Sequence, residues 1–178
     1  MRVILAILIV SLSGAAFAQD EAIDRHQASR AFFDHFAFQE GQWQLENFIM
    51  RGPNDSTTLE FTVTVERVFD GTGRQSHWVQ NDTGEWIGDI INTYDVETNL
   101  LSVRFFDARA NRWVESAQEI TLTETGFELQ FSGEDQHGPF DSRTRMERIS
   151  DDHYRQTIER RYPGTDWFVT DRVDATRD

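Results

Sequence analysis

From Gln42 nearly to the C-terminus, apolar and polar residues alternate with a period of two, and this restricts the chain to β-structure more tightly than any other feature. In Leu59-Glu60-Phe61-Thr62-Val63-Thr64-Val65-Glu66 every odd position is apolar and every even one polar, the pattern of a strand with one buried face. Asp70-Gly71-Thr72-Gly73 supplies turn chemistry, and Arg74 to Gln80 reads as the returning strand. Further strands are expected at Gln42–Met50, Trp86–Tyr94, Leu100–Phe106, Trp113–Leu122, Phe127–Ser132, Phe140–Ile149, Tyr154–Tyr162 and Asp166–Val173. Between them lie short polar or glycine-containing segments and no helical pattern that would carry parallel crossovers. The expected fold is all-β, an antiparallel up-and-down barrel of about ten strands, because closure removes the exposed edges an open sheet would carry.

Ahead of the strands, residues 20–38 follow a different period. Ile23, His26, Ala28, Ala31, Phe32, His35 and Phe36 recur at three- and four-residue steps with Asp and Arg between them, which predicts one amphipathic helix ended by Gly41. Phe32, Phe33, Phe36 and Phe38 would also suit an α+β cone, in which helices pack on a curved sheet, but that fold needs more helix and fewer strands. Residues 1–18 carry Arg2, the apolar run Val3 to Val10 and the small-residue pattern Ala16-Phe17-Ala18 before Gln19. That is the layout of a cleavable secretory leader, and its apolar run falls well short of the about 20 residues a transmembrane helix needs. The expected organisation is a leader at 1–18 cut after Ala18, a helical segment at 19–40 and one barrel domain at 41–178. The expected location is periplasmic or secreted.

Composition removes several chemistries. The chain has no cysteine, so disulfides, thiolate nucleophiles and lipid-modified cysteine are excluded. All 17 basic residues are arginine, which excludes Schiff-base and amine nucleophiles. Without Arg2, 16 arginines face 31 acidic residues, a formal charge of −15 that disfavours nucleic acid and anionic lipid as partners. No later stretch is apolar enough for membrane insertion by a helix.

Gly41-Gln42-Trp43 opens the first strand, and this run resembles the Gly-x-Trp signature of lipocalins and related calycin barrels. The tryptophan on the first strand, Tyr94-Asp95 before a short turn and the alternating strands after it are similar to a bacterial calycin-like family of unknown function. The resemblance implies that a late arginine packs over Trp43 and closes the barrel end, a structural role that falls to Arg172. The N-terminal helix departs from the pattern, and implies either a plug in the barrel mouth or a homodimer contact.

Five histidines, His26, His35, His77, His137 and His153, show no metal-ligand spacing, so no metal site is expected. His77 is the one candidate axial ligand for haem; otherwise no cofactor is expected. Ser76 and His77 alternate across a strand and cannot form a nucleophile–base pair, and no Gly-x-Ser-x-Gly elbow is present. No catalytic set emerges. The candidate ligand-binding residues are therefore those near expected inner faces: His77 or its neighbour Trp78, Asn92 with Tyr94, and Arg104, Arg145 and Arg160. Inward arginines would select a carboxylate or phosphate through their planar fork. Three functions follow as expectations: a barrel binding a small apolar or amphipathic molecule, an isomerase or hydrolase in the same cavity, or an interaction protein with a filled barrel.

Overall fold

The computed structural model describes residues 24–52 and 55–177. Ten antiparallel strands follow one another around a closed barrel: β1 (Gly41–Gly52), β2 (Asp55–Val68), β3 (Gly73–Gln80), β4 (Trp86–Asp95), β5 (Leu100–Asp107), β6 (Arg112–Leu122), β7 (Gly126–Asp135), β8 (Gly138–Ser150), β9 (His153–Arg161) and β10 (Phe168–Thr176). Each pairs with its neighbour in sequence, and β1 pairs with both β2 and β10, so the meander closes without a free edge. The cone is thereby excluded. The expected leader at 1–18 lies outside the described residues.

The alternation in the sequence becomes the inside and outside of this barrel. On β2, Phe61, Val63 and Val65 are buried while Glu60 and Glu66 are exposed. Each such side chain contributes about 1.5–3 kcal/mol by leaving water, which fixes the register, since a one-residue slip would turn all three outward. The outer face carries charge: Arg143 pairs with Glu159 at 2.7 Å, Arg145 with Glu128 at 3.1 Å and Arg161 with Asp141 at 2.7 Å. A membrane-crossing barrel would present an apolar band there. Among the described residues no helix is long and apolar enough to cross a membrane.

A helix, α1 (residues 24–34), stops one end of the barrel. Its buried positions Ser29, Phe32 and Phe33, with Phe36 just beyond, follow the helical spacing. Phe32 stacks on Tyr94 of β4 at 3.9 Å between ring centroids, and Phe36 meets Phe127 of β7 edge-on at 5.4 Å. The apolar face of α1 thus covers the core and acts as a plug. The helix ends earlier than the expected residue 38. Arg67 of β2 donates to the Phe33 carbonyl at 2.6 Å, capturing an acceptor that a further helical turn would use. The chain then tightens into a 3-10 turn at Ala37–Gln39, which carries Gln39 into the core and delivers the chain to β1.

Gly41 opens β1 at φ +105°, a conformation that strains any residue with a Cβ, and this gives the Gly-x-Trp run its physical basis. Two residues on, Trp43 is fully buried and its indole N–H donates to the Gln39 carbonyl at 2.8 Å. The arginine above it is Arg177, whose guanidinium lies 4.6 Å from the ring centroid. This corrects the expectation for Arg172, which points to the outer face, over Phe48 at 5.7 Å and beside Asp174 at 3.8 Å. Gln44 pairs with Thr176, so Trp43 and Arg177 occupy the next position along the two strands. Arg172 lies an odd number of residues from Arg177 and falls on the opposite face.

Candidate functional site

Inside the barrel is a cavity of about 400 Å³. Leu45, Val63, Leu101, Val103 and Leu129 give it apolar walls, which the strands supply by placing every second residue inward. Into this surface project Asn47, Arg74, Trp78, Asn92 and Arg160. Each of these five holds one buried polar atom that makes no hydrogen bond among the described residues: Asn47 Oδ1, Arg74 Nε, Trp78 Nε1, Asn92 Oδ1 and Arg160 Nε. A buried polar atom left without a partner costs about 1–3 kcal/mol, so the cavity wall concentrates unmet hydrogen-bonding capacity in one place. Three of these atoms are donors and two are acceptors.

The two arginines sit at opposite ends. Arg74, at the start of β3, lies beside the plug, where its Nη1 donates to Gln39 Oε1 and its guanidinium stands 6.0 Å from the Phe36 ring. Arg74 is half-buried and lines the cavity, with its Nε buried. Burial pushes its pKa down; Tyr154 opposes that shift, the like charge of Arg67 adds to it and Glu40 opposes it. Burial also pushes the Tyr154 hydroxyl up to about 12, with Arg74 working against it, so this cavity-lining phenol stays neutral and able to donate at neutral pH. Asn92 of β4 is the direct cross-strand partner of Arg74.

Arg160, near the end of β9, donates through Nη1 to Asp135 at 3.2 Å and lies 4.4 Å from the Phe140 ring. Tyr162 donates to the same carboxylate at 2.8 Å. The His137 backbone N–H, then Tyr162, hold the Asp135 carboxyl below the usual carboxylate range. This end therefore has an internal counter-charge, which the Arg74 end lacks in direct contact.

The sequence candidates divide between the two faces. Trp78, Asn92 and Arg160 line the cavity. Tyr94 is half-buried against the plug, stacked on Phe32, and its hydroxyl donates to Asn99 Oδ1 at 2.9 Å. His77 points outward, where it meets Asp89 at 2.7 Å and stacks on Trp86, so an axial haem ligand from it would have to come from outside the barrel. Arg104 is also outside, 5.3 Å from the Trp113 ring and 3.6 Å from Glu115, and Arg145 is held there by Glu128. Their strand neighbours explain it: Leu101 and Val103 on β5, and Thr144 and Met146 on β8, take the inner positions, so the alternate residues Arg104 and Arg145 face out. Arg74, Asn47 and Tyr154 join the cavity wall without having been candidates from the sequence. Arg74 shares the parity of Trp78, so the inward tryptophan is the signal that could have located it. Among the described residues no cluster of three His, Asp or Glu is placed to hold a metal ion.

No protein-family model matches the chain, and no curated protein matches it. Among solved structures it is similar to the crystal structure of Rv2717c from M. tuberculosis, with a TM-score of 0.50 at 10% sequence identity, covering 82% of this chain and 96% of that one. At that identity the likeness concerns fold alone.

Proposed function

We propose that this protein is an exported, calycin-like barrel that binds one small amphipathic molecule in its cavity. The observation that carries the reading is the coincidence of five unpartnered buried polar atoms on the wall of a single, mostly apolar cavity. An apolar pocket with a few convergent polar groups is the usual chemistry of a small-molecule site, and about 400 Å³ falls within its size range. The tryptophan–arginine closure at Trp43 and Arg177 supports the calycin-like part. The leader pattern at 1–18 supports export, with N-terminal sequencing of the purified protein expected to begin at Gln19.

The test uses the tryptophans as position markers. Trp78 lines the cavity, whereas Trp86 and Trp113 are exposed on the outer face. Titration with an amphipathic probe such as anilinonaphthalene sulfonate, followed by NMR of the indole N–H resonances, is expected to shift Trp78 and leave Trp86 and Trp113 in place. Movement confined to the outer tryptophans would refute the reading.

A further inference from the structure

We propose that the plugged end of the cavity is an anion subsite, in which Arg74 receives the carboxylate of an amphipathic ligand whose tail lies along the apolar walls. The proposal rests on the cavity being a ligand site and adds the orientation and the headgroup class. Arg74 uses one nitrogen, Nη1, on Gln39, a neutral partner. Its Nε is buried without a partner, and among the described residues its one hydrogen bond is that from Nη1, which leaves Nη2 free to donate. Nε and Nη2 form one edge of the planar guanidinium, the edge that a carboxylate meets with two parallel hydrogen bonds.

The surrounding charges give the same result. No carboxylate of the described residues forms an ion pair with Arg74. The nearest one electrostatically, Glu40, is already held at 2.6 Å by Arg67, which itself adds positive charge to this end. A buried cation without a counter-ion is costly, and a ligand anion supplies the missing charge. The neighbouring groups favour the same guest: Tyr154 presents a neutral hydroxyl, a donor to an oxyanion, from β9. The same cavity has apolar walls at Leu45, Val63 and Leu129, along which an alkyl tail would lie. At the far end Arg160 is already matched by Asp135, which places the anion preference at Arg74.

Calorimetric titration of the purified protein with decanoate and with decanol separates headgroup from tail. Decanoate is expected to bind about tenfold more tightly than decanol, the scale of a hydrogen-bonded charge pair set against a neutral hydroxyl. In Arg74→Met the decanoate affinity should fall to that of decanol, while decanol stays within about threefold of its original affinity, since the tail contacts are unchanged. The ligand-free variant should melt within about 5 °C of the original protein, because removing a buried charge offsets the hydrogen bond that Gln39 loses. Arg74→Lys, which keeps charge but loses the fork, serves if the methionine variant fails to fold, and should bind decanoate more weakly than arginine does. Equal affinity for decanoate and decanol in the original protein, or a preference for decanoate that survives in Arg74→Met, overturns the anion subsite while leaving the cavity as a binding site. Binding of neither compound overturns both.

Discussion

Replacing Arg177 with alanine tests the closure of the barrel end. Its guanidinium covers the ring of the fully buried Trp43 at 4.6 Å, donates to the Glu40 carbonyl at 3.0 Å and to the Asp151 carbonyl at 2.9 Å, and meets Asp152 at 3.1 Å. The cation–π contact with a desolvated tryptophan contributes about 1–2 kcal/mol. Two charge-assisted hydrogen bonds at a partly exposed site add about 1 kcal/mol each, and the exposed contact with Asp152 adds little. The expected loss is about 3–4 kcal/mol, or roughly 10 °C in Tm for a domain of this size. Arg172→Ala is the matched control, since Arg172 is exposed on the outer face and should cost no more than about 0.5 kcal/mol. Urea unfolding followed by near-UV circular dichroism measures both. An Arg177 variant within about 0.5 kcal/mol of the original protein, or an Arg172 variant that costs more, would refute the pairing.

Phe33→Ala removes a side chain buried in the plug and should cost about 3–5 kcal/mol in urea unfolding; a helix serving only to pair two subunits would instead leave the barrel's stability unchanged. Trp78→Phe removes a buried N–H that has no partner, so the loss should stay within about 1 kcal/mol, and a much larger loss would show that the indole is hydrogen-bonded. Acid should destabilise the barrel. The hydrogen bond from Arg143 holds the Glu159 carboxyl below its usual range, as those from Arg161 and Ser132 hold Asp141. Carboxyls with a lowered folded-state pKa contribute stability that is present above their unfolded value and is lost as pH falls through the folded one. Calorimetric Tm should therefore be flat from about pH 7 to 5 and fall below about pH 4, with a shallower fall in Glu159→Gln; a Tm that rises on acidification would contradict these pairings.

Much of this barrel is legible in the chain because period two is both a local signal and the geometry of a closed sheet. The run Leu59 to Glu66 marks its inward face by its own alternation, and the same parity, carried along β3 from Trp78, leads to Arg74. Parity also puts Arg104 outside, since Val103 and Phe105 flank it, so charge alone does not mark an inward binding group. What the chain does not encode locally is register. Whether Arg172 or Arg177 reaches Trp43 depends on how β10 pairs with β1, a contact across more than 120 residues, and β10 also shifts register between Val169 and Asp171. The plug is similar: the spacing of Phe32 and Phe36 shows an apolar helix face, but only the end of the barrel shows what that face covers.

Native mass spectrometry of the protein purified from its own source, followed by denaturing extraction, decides whether the cavity holds a ligand. Recovery of one stoichiometric small molecule with a hydrocarbon portion and an acidic group is the predicted result. Bare polypeptide, in a preparation that also fails to take up decanoate or anilinonaphthalene sulfonate, would contradict it.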